Sequence, residues 1–175
     1  MSTKITINRA PVMTLWATVV AERIGYEPDE ALTLAKAVTG LNAQSKGRRL
    51  GIFSEQPEED KPEKQRQHKA DDTFSLVILG RHIPAINTPD GIRAVEKDKP
   101  IQPASVQRYL ETKFGADLSQ VQEAFKDLAS SYPPEELKLK AYQLYETFRP
   151  KVPQGQMGWG AKGELDLDVV GKLKK

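Results

Sequence analysis

The sequence predicts an α+β fold, a mainly helical single domain with a small antiparallel β-hairpin or three-stranded meander. Apolar residues recur at helical spacing near the front of the chain and again through its last third. One stretch, residues 73–95, is instead rich in β-branched residues around turn signals. At 175 residues, with 38% apolar and 29% charged residues, the chain has the size and composition of one soluble globular domain.

The first 53 residues predict a helical hairpin. Pro11 suits a first helical turn and Gly25 suits the left-handed position after a helix, so helix one is expected from about Pro11 to Ile24. A second helix should begin at Pro28 and end near Gly47. The apolar run in helix one resembles a secretion signal, but its polar residues gather on one side. We therefore expect a core helix, a cytoplasmic location and no membrane span.

The amino-acid composition changes twice in the middle of the chain. Residues 54–72 contain no large apolar residue, so we expect a mobile polar loop there. Residues 73–95 predict a β-hairpin that turns at Gly80 and Arg81 in the type II′ form, which favours glycine at its first position. A further turn, residues 88–91, leads into a short third strand, residues 92–95.

Residues 96–149 predict helices, because their apolar residues keep the 3.6-residue period. The stripes are Val106, Tyr109, Leu110 and Phe114, then Leu118, Val121, Phe125 and Leu128, then Leu137, Ala141, Leu144, Tyr145 and Phe148. Residues 150–175 form a Gly-rich C-terminal segment. Its residues Leu165, Leu167 and Val169 alternate as in a short strand, or else begin a last helical turn.

The stretch "GWGAKG", residues 158–163, has the letters of the dinucleotide-binding fingerprint G-x-G-x-x-G. Only twelve residues follow Gly163, and prolines precede the stretch, so the required βαβ unit cannot be built around it. We expect no cofactor. The glycines should instead let Trp159 fold back onto the helices.

Residues that mark catalysis or metal binding are scarce. There is no cysteine, and the two histidines, His68 and His82, belong to no metal-binding motif. The acidic run "ELDLD" lacks the glycine and final glutamate of a calcium loop. We predict no catalytic, cofactor-binding or metal-binding residue, although a small enzyme without a recognisable motif stays an alternative.

One segment has features of a DNA-binding helix. "IQPASVQRYL" resembles the recognition helix of bacterial repressors in its polar-x-x-[ST]-V-x-R run. The resemblance implies that Gln102, Gln107 and Arg108 face the major groove, with Lys97 and Lys99 near phosphates. The residues upstream depart from the pattern of a first helix and turn. The alternative is an amphipathic helix with Ser105 as its N-cap.

Three further basic residues could extend such a surface. Arg48 and Arg49 lie at the predicted end of helix two, where they could equally complement the helix dipole. Arg81, at the hairpin turn beside His82, could contact a minor groove or be an ordinary exposed turn residue. The 26 basic and 24 acidic residues nearly cancel, so binding to nucleic acid would depend on such local clustering.

The segments "LWATVVAERIGYEPDEALTLAKAV" and "RPKVPQGQMGWGAKGELDL" are similar to small bacterial proteins of unknown function. That resemblance implies a bacterial protein and no mechanism. The leading hypothesis is a non-catalytic regulator-like module that contacts double-stranded DNA through a helix-turn-helix-like segment. The alternatives are a protein-interaction module or dimeric scaffold, and a small enzyme.

Overall fold

A computed structural model describes residues 4–49, 73–96, 99–150 and 162–175, with all their side chains except those of residues 42–49 and 162. The α+β class is confirmed. The elements are β1 (Lys4–Asn8), α1 (Arg9–Arg23), α2 (Pro28–Arg49), β2 (Phe74–Ile78), β3 (Arg81–Thr88), β4 (Gly91–Glu96), β5 (Lys99–Pro100), α3 (Pro103–Phe114), a 3₁₀ turn (Gly115–Asp117), α4 (Leu118–Ser130), α5 (Pro134–Phe148), β6 (Lys162–Asp166) and α6 (Leu167–Lys172).

The predicted helical hairpin is confirmed, since α1 and α2 pack closely against each other. Gly25 has a φ of 122°, in the region that favours glycine, directly after α1. The second helix is confirmed from Pro28, and it continues to Arg49, two residues past Gly47. A glycine inside a helix costs only about 1 kcal/mol, and no proline follows to stop the helix.

Trp16 is the centre of the core. It is fully buried in α1, and its indole N–H donates to the carbonyl oxygen of Ala141 at 2.9 Å. The rings of Phe125 and Phe148 meet it edge to face, with centroids at 5.6 and 5.3 Å. These contacts join α1 to α4 and α5, so the first and last thirds of the chain form one apolar core.

The three predicted C-terminal helices are confirmed as α3, α4 and α5, with the predicted apolar stripes buried or half-buried. Two details differ. The segment expected to be helical from residue 96 begins with the end of β4 and with β5. Ser105 is not the N-cap of α3, because the helix already starts at Pro103; its hydroxyl donates to the carbonyl oxygen of Gln102 within the first turn.

The predicted hairpin and third strand are confirmed, and β5 adds a fourth strand in the order β2-β3-β4-β5. The predicted turn is wrong by one residue. Ile78 pairs with Arg81, so the two turn residues are Leu79 and Gly80, with φ of 52° and 76°. Two positive φ values define a type I′ turn, whose backbone twist matches that of the strands. Arg81 is therefore the first residue of β3.

A second, two-stranded sheet pairs β1 with β6 antiparallel, for example Ile5 with Leu165. Strand β1 was not predicted. Gly163 pairs with Ile7 inside β6, where the dinucleotide fingerprint would need a helix. The other glycines of that stretch, Trp159, and the predicted polar loop 54–72 with His68 lie outside the described residues.

Within the described ranges, none of the helices combines the length and apolarity needed to cross a membrane.

Candidate functional site

An apolar groove lies where the tip of the β2–β3 hairpin meets the end of α1 and the start of α5. We call it the hairpin-tip groove. Its volume is about 480 Å³, within the range of ligand-binding clefts. It is lined by Val20, Ile24, Gly25, Tyr26, Val77, Ile78, Leu79, Gly80, Lys138 and Leu139.

Two lining residues leave apolar side chains in water. Val77 is 51% exposed and Leu139 is 87% exposed, and they are the exposed large hydrophobic residues among the described side chains. Both line the hairpin-tip groove. Isolated apolar residues on a surface are ordinary, but two that share one concave site mark a surface that can bind an apolar group.

The turn at the groove is conformationally strained. Leu79 has a φ of 52°, a conformation that costs a residue with a Cβ about 1–2 kcal/mol. Its side chain is only 5% exposed, so burial offsets that cost. The fold thus holds a leucine in an unfavourable backbone conformation at a position that lines the groove.

The two sides of the four-stranded sheet differ in how their backbone groups are paired. On the β4 side, the N–H of Ile92 donates to the Glu30 carboxylate at 2.8 Å, and the N–H of Ala94 donates to the Thr33 hydroxyl at 3.0 Å. The carbonyl oxygen of Ala94 accepts from the N–H of Ile101. Side chains of α2 and the chain after β5 therefore satisfy this side.

The β2 side has no such cover within the described residues. Ile78 and Arg81 close a two-residue turn, so they form a hydrogen-bonded pair, and pairing recurs at every second residue. The N–H and C=O groups of Ser75 and Val77 consequently point away from β3. No described residue hydrogen-bonds to them.

The charge in the groove comes from one residue. Lys138 is the one basic or acidic residue among those that line the groove, and its contact with Glu135, at 3.7 Å, is an exposed and weak ion pair. Burial, and then the charge of Glu30, raise the pKa of the Tyr26 phenol, so that residue stays neutral.

The residues predicted to read DNA are only partly brought together. Gln102 lies just before α3, and Gln107 and Arg108 lie on it; all three are exposed, as is Lys99 in β5. Gln107 also donates to the Glu111 carboxylate at 3.1 Å. Strands β4 and β5 precede α3, so the described residues 91–96 and 99–102 do not form the first helix of a helix-turn-helix.

The remaining basic candidates are dispersed or lie outside the described part. Lys97 is not described, and neither are the side chains of Arg48 and Arg49. The 22 residues of α2 span about 30 Å, so Arg48 and Arg49 lie far from Pro28 at its other end. Pro28 and Gln107 both line a second cavity. Arg81 is half-buried at the hairpin tip.

That cavity, of about 230 Å³, is more polar than the hairpin-tip groove. Thr18, Glu22, Gln107, Gln122 and Lys126 contribute polar groups to its walls. Burial raises the pKa of the Glu22 carboxyl, and the charge of Lys126 partly opposes this. One carboxyl with a raised pKa does not by itself define an enzyme mechanism. Among the described residues, no group of His, Asp and Glu is arranged to hold a metal ion.

Sequence reasoning missed Val77 and Leu139. Leu139 carried a usable signal, because it is an apolar residue outside the stripe that α5 buries. Val77 carried none, since it lies within the apolar run "LVIL" that reads as a buried strand.

Comparison with known proteins gave no match to a family model, to a curated protein or to a solved structure.

Proposed function

We propose that the chain is a non-catalytic protein-interaction module that binds a partner protein through the hairpin-tip groove. One observation carries the proposal: both exposed large hydrophobic residues of the described surface, Val77 and Leu139, line the same groove. Apolar anchors beside a pocket supply most of the binding free energy at protein interfaces, because their burial removes apolar surface from water.

A random peptide library tests this proposal whatever the identity of the partner protein. Peptides of 12 residues displayed on phage are selected on the immobilised full-length protein, and the selected peptides are titrated against variants. Leu139→Glu should weaken their binding roughly tenfold or more, because it removes an apolar anchor and adds a desolvated charge.

Gln143→Glu is the matched control. It adds the same charge to an exposed position of α5 that does not line the groove. Peptides that bind both variants as well as the wild type, or a library that enriches no peptide, would contradict the proposed function.

Contact with double-stranded DNA is a second proposal. It is supported by the exposure of Lys99 and Gln102 before α3 and of Arg108 on it. The strands in front of α3 and the engagement of Gln107 by Glu111 weaken it. The DNA proposal therefore needs a direct measurement of DNA binding.

Random duplex DNA, titrated at about 50 and 200 mM salt, separates the two proposals. Lys97 and Lys99 replaced together by Ala should flatten the slope of log K against log salt by roughly 2, whereas Arg108→Ala should cost about 1–3 kcal/mol on a preferred site only. If the unmodified protein binds no DNA in a salt-sensitive manner at about 50 mM salt, the DNA proposal fails.

We further propose that the protein acts in the bacterial cytoplasm. The apolar residues of α1 from Val12 to Ala21 are buried in the core, which supports a structural role for them over a secretion signal. The mass of the protein recovered from bacterial cells tests this. A mature form that starts at Glu22 would contradict it.

A further inference from the structure

The hairpin-tip groove runs along an edge of the sheet. Four consecutive residues, Val77 to Gly80, line it. Leu79 and Gly80 are the turn residues, whereas Val77 and Ile78 belong to β2. Side chains of successive strand residues point to opposite faces, so Val77 and Ile78 line the same groove only where it follows the strand edge. The facing wall is α5, through Lys138 and Leu139.

This edge belongs to a ribbon that separates from the rest of the sheet. The ladder between β3 and β4 ends at the pair Ala85 and Ala94. The next residue of β3 that would bond to β4 is Pro84, which has no N–H to donate. The hairpin tip therefore extends beyond the ladder with β4, and Val77, whose N–H and C=O point outward, lines the groove together with the end of α1 and the start of α5.

The groove has charge complementarity for an acidic group. Lys138 is its basic lining residue, and Leu139 is next to it on the helix. A ligand that reaches both would bring an apolar group to Leu139 and a carboxylate to Lys138, which can exchange its weak contact with Glu135 for a better one.

We propose that the partner enters the groove as an extended peptide strand that adds to the outer edge of β2, with an apolar residue against Val77 and Leu139 and a carboxylate near Lys138. This inference rests on the proposed function and specifies its mode. The backbone N–H and C=O groups of Ser75 and Val77 pair with the added strand, and the groove selects its side chains.

Proline at position 75 tests the backbone contact directly. Ser75→Pro removes an N–H that points outward and leaves the hydrogen bonds to β3 in place, while Ser75→Ala keeps the N–H and removes the same hydroxyl. The probes are fluorescein-labelled peptides selected on the wild-type protein. We expect Ser75→Pro to bind them about tenfold more weakly than Ser75→Ala does.

The same peptides, N-methylated at one residue at a time, test the mode from the other side. An added strand should tolerate methylation at alternate residues only, because successive N–H groups point to opposite edges. Circular dichroism and thermal unfolding show that each variant is folded.

The outcomes separate the two proposals. If Ser75→Pro binds as well as Ser75→Ala while Leu139→Glu still weakens binding, strand addition is overturned and the interaction module stands. If no peptide is selected, both are overturned. A concentration-dependent dimer that Ser75→Pro dissociates would overturn the choice of occupant, because a second copy of the chain would then fill the edge.

Discussion

The two sides of the four-stranded sheet differ in whether their outward-pointing backbone groups have hydrogen-bond partners among the described residues. On the β4 side, Glu30 and Thr33 of α2 accept hydrogen bonds from outward-pointing backbone groups. On the β2 side, the corresponding groups of Ser75 and Val77 meet no described partner, and an apolar groove lies alongside. Natural sheets usually protect their edges, because an open edge can pair with another chain.

The difference teaches where the fold is structural and where it is available for binding. On the β4 side, which we call the closed side, α2 supplies hydrogen bonds to backbone polar groups, which stabilises the domain. On the β2 side, which we call the open side, Val77 and Leu139 are exposed and Leu79 is strained. Features that cost stability in the isolated chain, found together at one site, are typical of a binding surface.

The largest effect on stability is expected when a hydrogen bond to the backbone of the closed side is removed. Thr33→Val keeps the shape of a fully buried side chain and removes the hydroxyl that pairs with the N–H of Ala94. The free energy of unfolding should fall by about 1–3 kcal/mol, because a buried N–H is left unsatisfied. Urea unfolding measures this change. Thr33→Ser, which keeps the hydroxyl, should lose much less; a loss in Thr33→Ser with none in Thr33→Val would show that packing and not the hydrogen bond matters.

A somewhat smaller effect is expected at Glu30. Its carboxylate accepts from the N–H of Glu27 at 2.9 Å, as in a capping box, and from the N–H of Ile92. Glu30→Ala should lower the free energy of unfolding by about 1–2 kcal/mol, since one cap and one edge contact are lost together. Thermal unfolding checks this. A loss below about 0.5 kcal/mol would mean that water replaces the carboxylate without cost.

How far the sequence predicted this arrangement depends on the range of the interactions involved. Helical periodicity identified α1 to α5 because a helix is determined by residues three and four apart. Strand β1 was missed, since its partner β6 lies at the other end of the chain. The turn was placed one residue too late because glycine was assigned the first turn position, whereas burial of Leu79 holds that residue in the left-handed region.

The candidate site was harder to predict than the fold. Whether a strand is central or at an edge depends on which elements cover it, and no local pattern distinguishes Val77 from its buried neighbour Ile78. The helix α3 was found, but the DNA hypothesis also required a helix in front of it. Residues 91–96 form a strand because β-branched and apolar residues there pair with β3.

The smallest effects on stability are expected on the open side. Ser75→Pro and Leu139→Glu change exposed residues whose altered groups have no part in the core, so each should shift the free energy of unfolding by no more than about 0.5 kcal/mol. Chemical unfolding of the two variants beside the wild type measures this. A loss above about 1 kcal/mol in either variant would mean that the open side contributes to the stability of the domain.

Amide hydrogen exchange followed by NMR compares the two sides most directly. In the free protein, the amides of Ile92 and Ala94 should be protected, while those of Ser75 and Val77 exchange quickly. On saturation with a selected peptide, the amides of Ser75 and Val77 should slow by about tenfold or more and those of Ile92 and Ala94 should not change. Protection of Ser75 and Val77 without peptide, or no added protection when the peptide is bound, would contradict an open edge that receives a partner strand.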